Sequence, residues 1–135
     1  MKQKWTKQGL LYECDTRIPA GYSYAAWPTP YIISKELIRV YFASRNKKNF
    51  SSIFYLDLKM NQNSAQVVSV DSLPVLEPGL LGLFDDCGVS PSCICEIKGE
   101  AFLYYTGWNL QQQIPFQTFC GIAKLSDDRS RAEKL

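Results

Sequence analysis

An internal repeat is the sequence feature that most constrains this fold. Arg39 to Ala43 (RVYFA) matches Phe102 to Thr106 (FLYYT), and Ser52 to Leu58 matches Phe119 to Leu125, at spacings of roughly 61 to 67 residues. Thr29-Pro30 matches Ser90-Pro91, and Asn46 matches Asn109, at similar spacings. A chain that repeats itself on this scale is expected to fold as consecutive similar units.

The pattern within each repeat predicts β-strands. No segment keeps apolar residues at 3.6-residue spacing over three turns, and β-branched and aromatic residues favour strands throughout. The fold class predicted is therefore all-β. Residues 13–30 contain Pro19, Pro28 and Pro30 and are predicted to form a loop, and Leu73 to Gly88 a long connection. The predicted strands are Leu10 to Tyr12, Tyr31 to Ser34, Ile38 to Ala43, Ser52 to Leu58, Gln66 to Val70, Cys93 to Ile97, Ala101 to Tyr105 and Phe119 to Leu125.

Grouped by repeat, these strands predict about two antiparallel four-stranded blades of an incomplete β-propeller. Blade one covers about residues 28–76 and blade two about 84–125, within a partial propeller over 1–127. Residues 5–12 are predicted to act as a fourth strand of another blade, and 128–135 to form an unstructured charged tail. Blade two would then have three strands and an open edge, and two blades cannot close a ring.

The composition removes several classes of function. The 135 residues include no His, which excludes the commonest general base, Ser-His and Cys-His pairs and most zinc ligand sets. Five Cys stand at irregular spacing, and the C-x-C of Cys93 and Cys95 is not the C-x-x-C of zinc or redox sites. We expect thiols in a reducing compartment, with no metal and no cofactor.

The charge and hydropathy patterns bear on partners and location. The net charge is +2 and no run of Lys or Arg exceeds two, which predicts no nucleic-acid partner. No window of about 18 apolar residues occurs, and the start has no apolar segment typical of a leader. We therefore expect no membrane partner and a cytoplasmic protein.

One end of the predicted blades collects side chains suited to binding. In an antiparallel blade every second connection lies at the same end, so the starts of the first strands meet the loops between second and third strands. Aromatic rings, carboxylates, amides and an Arg together are typical of a carbohydrate site, because a sugar has an apolar face and a rim of hydroxyls. The candidate substrate-binding residues are Trp27, Thr29, Arg45, Asn46, Asp85, Asp86, Trp108 and Asn109.

Each of these residues also has a structural interpretation. Asp85 and Asp86 precede Gly88 and fit turn or strand-capping roles. Trp27 and Trp108 could pack in the core, or their rings could form a flat surface on which a sugar stacks. Arg45 stands beside Lys47 and Lys48 and fits a solvated loop. The sequence leaves these alternatives open.

The chain resembles the N-terminal part of the five-bladed propeller glycosidases, the superfamily of glycoside hydrolase families 32, 43, 62 and 68. It is most similar to glycosidase-like bacterial proteins that share Pro28-Thr29-Pro30, the second strand Arg39 to Phe42, the segment Phe84 to Ser92, and Tyr104 to Asn109. The resemblance covers roughly residues 5–127, and its second half is the more specific. It implies a carbohydrate ligand and a glycosidase-related fold.

The chain departs from the family pattern at the catalytic position. Active members of the superfamily carry an Asp before a Pro at the first strand of blade one, and Thr29 stands there in this sequence. Hydrolysis of either stereochemistry needs two carboxyl groups roughly 5 to 10 Å apart. Asp85 and Asp86 are adjacent, so on a strand they would point to opposite sides. We therefore predict no catalytic residue.

Three functional hypotheses follow. The first is a carbohydrate-binding or glycosidase-related propeller fragment that does not hydrolyse glycosidic bonds by itself. The second is a structural or interaction protein that forms a homo-oligomer by edge-strand exchange, with Trp5 to Leu11 of one copy completing the three-stranded blade of the next. The third is a truncated product whose charged tail stands in place of further blades.

Overall fold

The protein is described by a computed structural model, which covers residues 5–7, 9–19, 21–62 and 64–135. Within these ranges the chain forms strands and connections and no helix, so the predicted all-β class is confirmed. No helix there could cross a membrane. The strands are β1 (Ser23–Ile32), β2 (Leu37–Arg45), β3 (Ser51–Asn61), β4 (Ser64–Val70), β5 (Gly88–Ile97), β6 (Glu100–Leu110), β7 (Phe116–Leu125) and β8 (Ala132–Lys134).

The strands form one open sheet made of two antiparallel meanders. In the first unit, β1 to β4 pair in chain order, and in the second unit, β5 to β8 do the same. A single parallel bridge, between Ser51 of β3 and Gly88 of β5, joins the two units. Each unit is thus a four-stranded antiparallel run, and the bridge holds them together at one end.

Successive side chains along a strand point to opposite faces of the sheet, so each unit has two faces. On β6, Ala101, Leu103 and Tyr105 are buried, while the residues between them are half-buried. This period of two is expected for a strand with one face packed on a core. The central strands β2 and β3 of the first unit are buried on both faces, because another layer covers each side.

Two apolar clusters hold these layers together. One lies between the units and joins Tyr41 and Ile53 of the first to Leu103 and Tyr105 of the second. The other lies on the far side of the first unit and is built on Phe42, Phe54, Leu56 and Leu58. The segment before β1 covers this second cluster with the side chains of Tyr12, Cys14, Ile18 and Tyr22.

Strand β1 corrects the prediction that residues 13–30 form a loop. It starts at Ser23 and contains both Pro28 and Pro30. Proline is tolerated because β1 is an edge strand that pairs only with β2, so its other side needs no N–H donors. Two register shifts before Thr29, with positive φ angles of 69° at Tyr24 and 58° at Trp27, accommodate the irregular sequence.

The strand predicted over residues 5–12 is absent. Residues 5–7 and 9–12 have no regular secondary structure and no strand pairing, and residue 8, like Met1 to Lys4, lies outside the described residues. Of these residues, Tyr12 packs on the far side of the first unit. Exchange of this segment between copies of the chain stays a prediction.

The prediction of an unstructured tail over 128–135 is also wrong. Residues Ala132–Lys134 form β8, which pairs with β7 and gives the second unit its fourth strand. The preceding turn is closed by Asp128, whose carboxylate accepts hydrogen bonds from the hydroxyls of Ser126 and Ser130. These bonds hold the pKa of Asp128 well below its usual range. The edge of β7 that the sequence left open is thus already occupied.

This turn also fastens the second unit to the first. Arg39 forms a two-point ion pair with Asp57 and donates a further hydrogen bond of 2.9 Å to the carbonyl of Asp128. The Tyr41 hydroxyl donates to the carbonyl of Arg129 at 2.6 Å. Residues 126–131 of the second unit therefore bind polar side chains of the first unit, Arg39 and Tyr41.

Candidate functional site

The joined ends of the two units form the candidate site. Arg45 at the end of β2 pairs with Ser51 at the start of β3, and Ser51 is bridged to Gly88 at the start of β5. Gly88 pairs in turn with Trp108 near the end of β6. One row across the sheet therefore carries Arg45, Ser51, Gly88 and Trp108 side by side.

Gly88 is required by the close packing in this row. A Cβ atom at residue 88 would lie 2.2 Å from the Ser51 Oγ and 2.3 Å from the Trp108 Nε1. The space that glycine leaves lets the indole of Trp108 donate a 3.0 Å hydrogen bond to the Ser51 hydroxyl. Trp108 is therefore held in a fixed orientation across the junction between the units.

Arg45 lies over the anchored indole. Its guanidinium carbon is 5.6 Å from the ring centroid of Trp108, within the range of a cation–π interaction. The same guanidinium donates a 3.0 Å hydrogen bond to the Asn49 side chain. Two residues 63 positions apart in the chain thus form a cation and aromatic pair at this end, in which Arg45 is exposed and Trp108 half-buried.

The two candidate asparagines have turn roles at the same end. The Asn46 side-chain oxygen accepts hydrogen bonds from the backbone N–H groups of Lys48 and Phe50, which closes the turn between β2 and β3. The Asn109 side-chain oxygen accepts a 2.9 Å hydrogen bond from Gln111. Both oxygens are therefore engaged within the protein.

Asp85 belongs to the core. Only 1% of the residue is exposed, and its Oδ2 accepts a hydrogen bond from the Tyr105 hydroxyl at 3.2 Å and lies 2.6 Å from the Lys134 Nζ. Burial, together with the charge of Asp85, raises the pKa of Tyr105. Gly79 and Gly107 make room for it, since a Cβ at either residue would lie within 2.5 Å of Asp85.

Asp86 remains nearer the surface but has a structural partner as well. Its Oδ2 accepts a 2.8 Å hydrogen bond from the backbone N–H of Gly82, which fixes the loop before β5. Its Oδ1 is buried and makes no hydrogen bond within the described part of the chain. One buried oxygen of Asp86 thus has no hydrogen-bond partner among the described residues.

Trp27 and Thr29 lie further along β1. Thr29 is buried, and its hydroxyl donates to the carbonyl of Trp27 at 3.3 Å. Trp27 is 68% exposed, and its left-handed backbone is uncommon for a bulky residue. Residues with strained backbone cluster at functional sites. At this position the residue is a Trp whose indole is exposed to solvent.

The structure therefore separates the predicted residues into three groups. Arg45, Asn46, Trp108 and Asn109 meet at the joined ends, with Asp86 beside them. Thr29 and Asp85 are buried and engaged, and Trp27 is exposed on the edge strand β1. Sequence reasoning missed Ser51, which anchors Trp108, and Lys134, which neutralises Asp85. Ser51 carries a weak signal in its position directly before a predicted strand. Lys134 carries none, because its partner is remote in sequence.

The two adjacent carboxylates differ in their internal contacts. Asp85 is committed to Lys134 and Tyr105, so Asp85 and Asp86 do not form a pair of free carboxylates across a common space. A shallow depression of about 380 Å³ lies next to the joined ends, lined by Gln111, Gln112, Gln113, Ile114 and Gln117. Among the residues that the structure describes, no cluster of three Cys, Asp or Glu is placed to hold a metal ion.

Comparison with known proteins gives relatives without a described function. Two uncharacterized proteins of Mycobacterium tuberculosis, from strains CDC 1551 / Oshkosh and ATCC 25618 / H37Rv, are each 36% identical to this chain over 121 residues. That stretch is 88% of this chain and 40% of each relative, so the chain spans about 40% of the length of these relatives. No protein-family model matches the chain.

Proposed function

We propose that this chain is part of a glycosidase-related β-propeller and binds a carbohydrate at the joined ends of its two units, without hydrolysing it. The observation that carries the proposal is the anchored Trp108, whose indole is fixed by Ser51 and overlain by Arg45. A preorganised aromatic beside a cation and amides offers both the apolar surface and the polar rim that a sugar requires.

The architecture supports the propeller part of this proposal. Two four-stranded antiparallel meanders follow one another at the repeat spacing, and one face of the first packs on one face of the second. Radial repetition of such units is the principle of a propeller. The relatives are about two and a half times as long as the matched stretch, which leaves room for the further units that a ring needs.

The side chains support binding without catalysis. Thr29 stands where active glycosidases of the resembled superfamily carry Asp, and its hydroxyl is bonded to the backbone. Asp85 is neutralised by Lys134 in the core and cannot approach a substrate. Neither residue can then serve as the nucleophile or base that hydrolysis requires.

A glycan array followed by calorimetry on any sugar bound tests the proposal. Trp108→Phe keeps an aromatic ring but loses the Nε1 donor to Ser51, and we expect it to weaken binding at least about tenfold. Trp5→Ala removes a Trp that is 90% exposed and is not one of the predicted site residues, and it should leave the affinity unchanged. Absence of binding across the array contradicts the proposal, and release of p-nitrophenol from nitrophenyl glycosides contradicts its non-hydrolytic part.

A further inference from the structure

The guanidinium of Arg45 has one edge that makes no hydrogen bond within the described part of the chain. Its Nη1 donates to the Asn49 side chain at 3.0 Å, while its Nε and Nη2 have no acceptor among the described residues. Arg45 is exposed, so a ligand can reach these two nitrogens. Two N–H donors in one plane are the arrangement that binds both oxygens of a carboxylate at once.

Two other arginines of the chain use this same edge to bind a carboxylate. Arg39 donates from Nε and Nη2 to the two oxygens of Asp57, at 2.8 and 3.1 Å. Arg17 donates from Nε and Nη2 to Asp15, at 2.9 and 2.6 Å. Arg45 presents the same edge without a described carboxylate on it, so a carboxylate supplied by a ligand fits there.

Two further cations lie in the turn that follows Arg45. Lys47 and Lys48 belong to the turn between β2 and β3, and both are exposed. None of the three cations forms an ion pair with a carboxylate of the described residues. Three such cations attract an anion over roughly one Debye length, about 8 Å at physiological ionic strength.

The acidic residues of this region do not cancel that charge. Asp85 is buried and its Oδ2 lies 2.6 Å from the Lys134 Nζ, so this pair is neutral. Asp86, and Glu13 on the neighbouring segment before β1, form no ion pair among the described residues. Three cations therefore stand against two carboxylates, and the joined ends carry an excess of positive charge.

We propose that the sugar bound at the joined ends is acidic: a hexuronate whose carboxylate is held by the Nε and Nη2 of Arg45 while its ring lies against Trp108. This inference rests on the proposed carbohydrate function and names the class of sugar. A hexuronate is favoured over a neutral sugar because its carboxylate accepts from both donors and meets the excess positive charge. A planar carboxylate is also the group that Arg39 and Arg17 bind through the same edge.

Calorimetry of the full chain with oligogalacturonides and oligoglucuronides, each compared with its methyl ester, tests the inference. Esterification removes the charge and keeps the sugar ring, so we expect the acids to bind at least about tenfold more tightly than the esters. Raising the salt concentration should weaken binding of the acids and leave binding of the esters unchanged. This comparison needs no variant of the protein.

Variants of Arg45 assign the carboxylate to this residue. Arg45→Gln should weaken binding of the acids at least about tenfold and leave the affinity for the esters unchanged. Arg45→Lys keeps the charge but not the planar pair of donors, so it should retain only part of the affinity that Arg45→Gln loses. Lys35→Gln is the matched control, because Lys35 is an exposed cation in the turn between β1 and β2, at the other end of the first unit.

Two results would overturn the inference and leave the carbohydrate proposal standing. One is equal affinity for the acids and their esters, or binding of neutral sugars alone. The other is an Arg45→Gln protein that binds the acids as tightly as the unchanged protein does. Binding of no oligosaccharide at all, acidic or neutral, would instead contradict the carbohydrate proposal, and this inference with it.

Discussion

Replacing Arg39 by Ala should destabilise the protein by about 3 to 5 kcal/mol, the usual cost of removing one partner of a buried ion pair. Arg39 bonds both carboxylate oxygens of Asp57, at 2.8 and 3.1 Å, and its guanidinium lies 3.8 Å from the centroid of the Tyr55 ring. The remaining nitrogen donates to the carbonyl of Asp128 in the turn before β8. Truncation therefore affects both units together.

The burial of this pair sets the size of the effect. The side chains of Arg39 and Asp57 are only 11% and 13% exposed, so water cannot compensate for the loss. Asp57 would keep one hydrogen bond, from the Ser69 hydroxyl at 3.2 Å. Burial by itself would lower the pKa of Arg39. The hydrogen bonds to Asp57 and the negative charge of Asp57 outweigh burial, so the pKa of Arg39 lies above its usual value.

Urea unfolding followed by tryptophan fluorescence measures the change in free energy. Arg17→Ala is the matched control, because Arg17 and Asp15 form a pair that is 46% and 41% exposed, and such pairs contribute at most about 1 kcal/mol. The double variant Arg39→Met with Asp57→Leu should be more stable than Arg39→Ala, since no charge is left unpaired. A loss below about 1 kcal/mol for Arg39→Ala would refute this account of the interface.

Two further predictions concern the core and the response to acid. Gly107→Ala should cost about 1 to 3 kcal/mol in the same assay, because its Cβ would lie 2.4 Å from the Cβ of Asp85 and 2.5 Å from the ring of Phe84; an unchanged midpoint would contradict this packing. Burial alone would raise the pKa of Asp71, but its bonds from Arg131 and the Leu73 N–H lower it overall. Its contribution to stability should be complete above about pH 4 and be lost as pH falls through the folded-state pKa, so Asp71→Asn should flatten the acid limb of the melting temperature.

The central strands could be predicted because local pattern and tertiary burial agree in them. The predicted runs Ile38 to Ala43 and Ala101 to Tyr105 lie inside β2 and β6, where apolar residues alternate or fill both faces. Strand β1 could not be predicted in the same way. The rule that Pro ends regular structure holds for strands with two neighbours, whereas Pro28 and Pro30 lie on a strand with one.

Strand β8 was missed because its stability comes from remote contacts. Its sequence is short and charged, and nothing within Ala132–Lys134 favours a strand. The turn before it is held by Arg39 and Tyr41, nearly ninety residues away in the chain. A prediction from the local sequence uses only the charged residues there and therefore gives an unstructured tail.

The candidate site shows the same division between local and remote causes. The rule that alternate connections share an end could place Arg45 and Trp108 together, and they lie in contact. No such rule could reveal that Asp85 turns inward, since that depends on Lys134 and on the space left by Gly79 and Gly107. The two adjacent carboxylates thus have different partners, because Asp85 turns into the core and Asp86 bonds the loop before β5.

The two repeats share a backbone but differ in the side chains that meet a partner. In the first unit, Arg39 and Asp57 receive the polar turn before β8, and the repeat aligns them with Phe102 and Lys124. At the equivalent position the second unit therefore lacks the ion pair that binds such a turn and has Phe102 beside Lys124 instead.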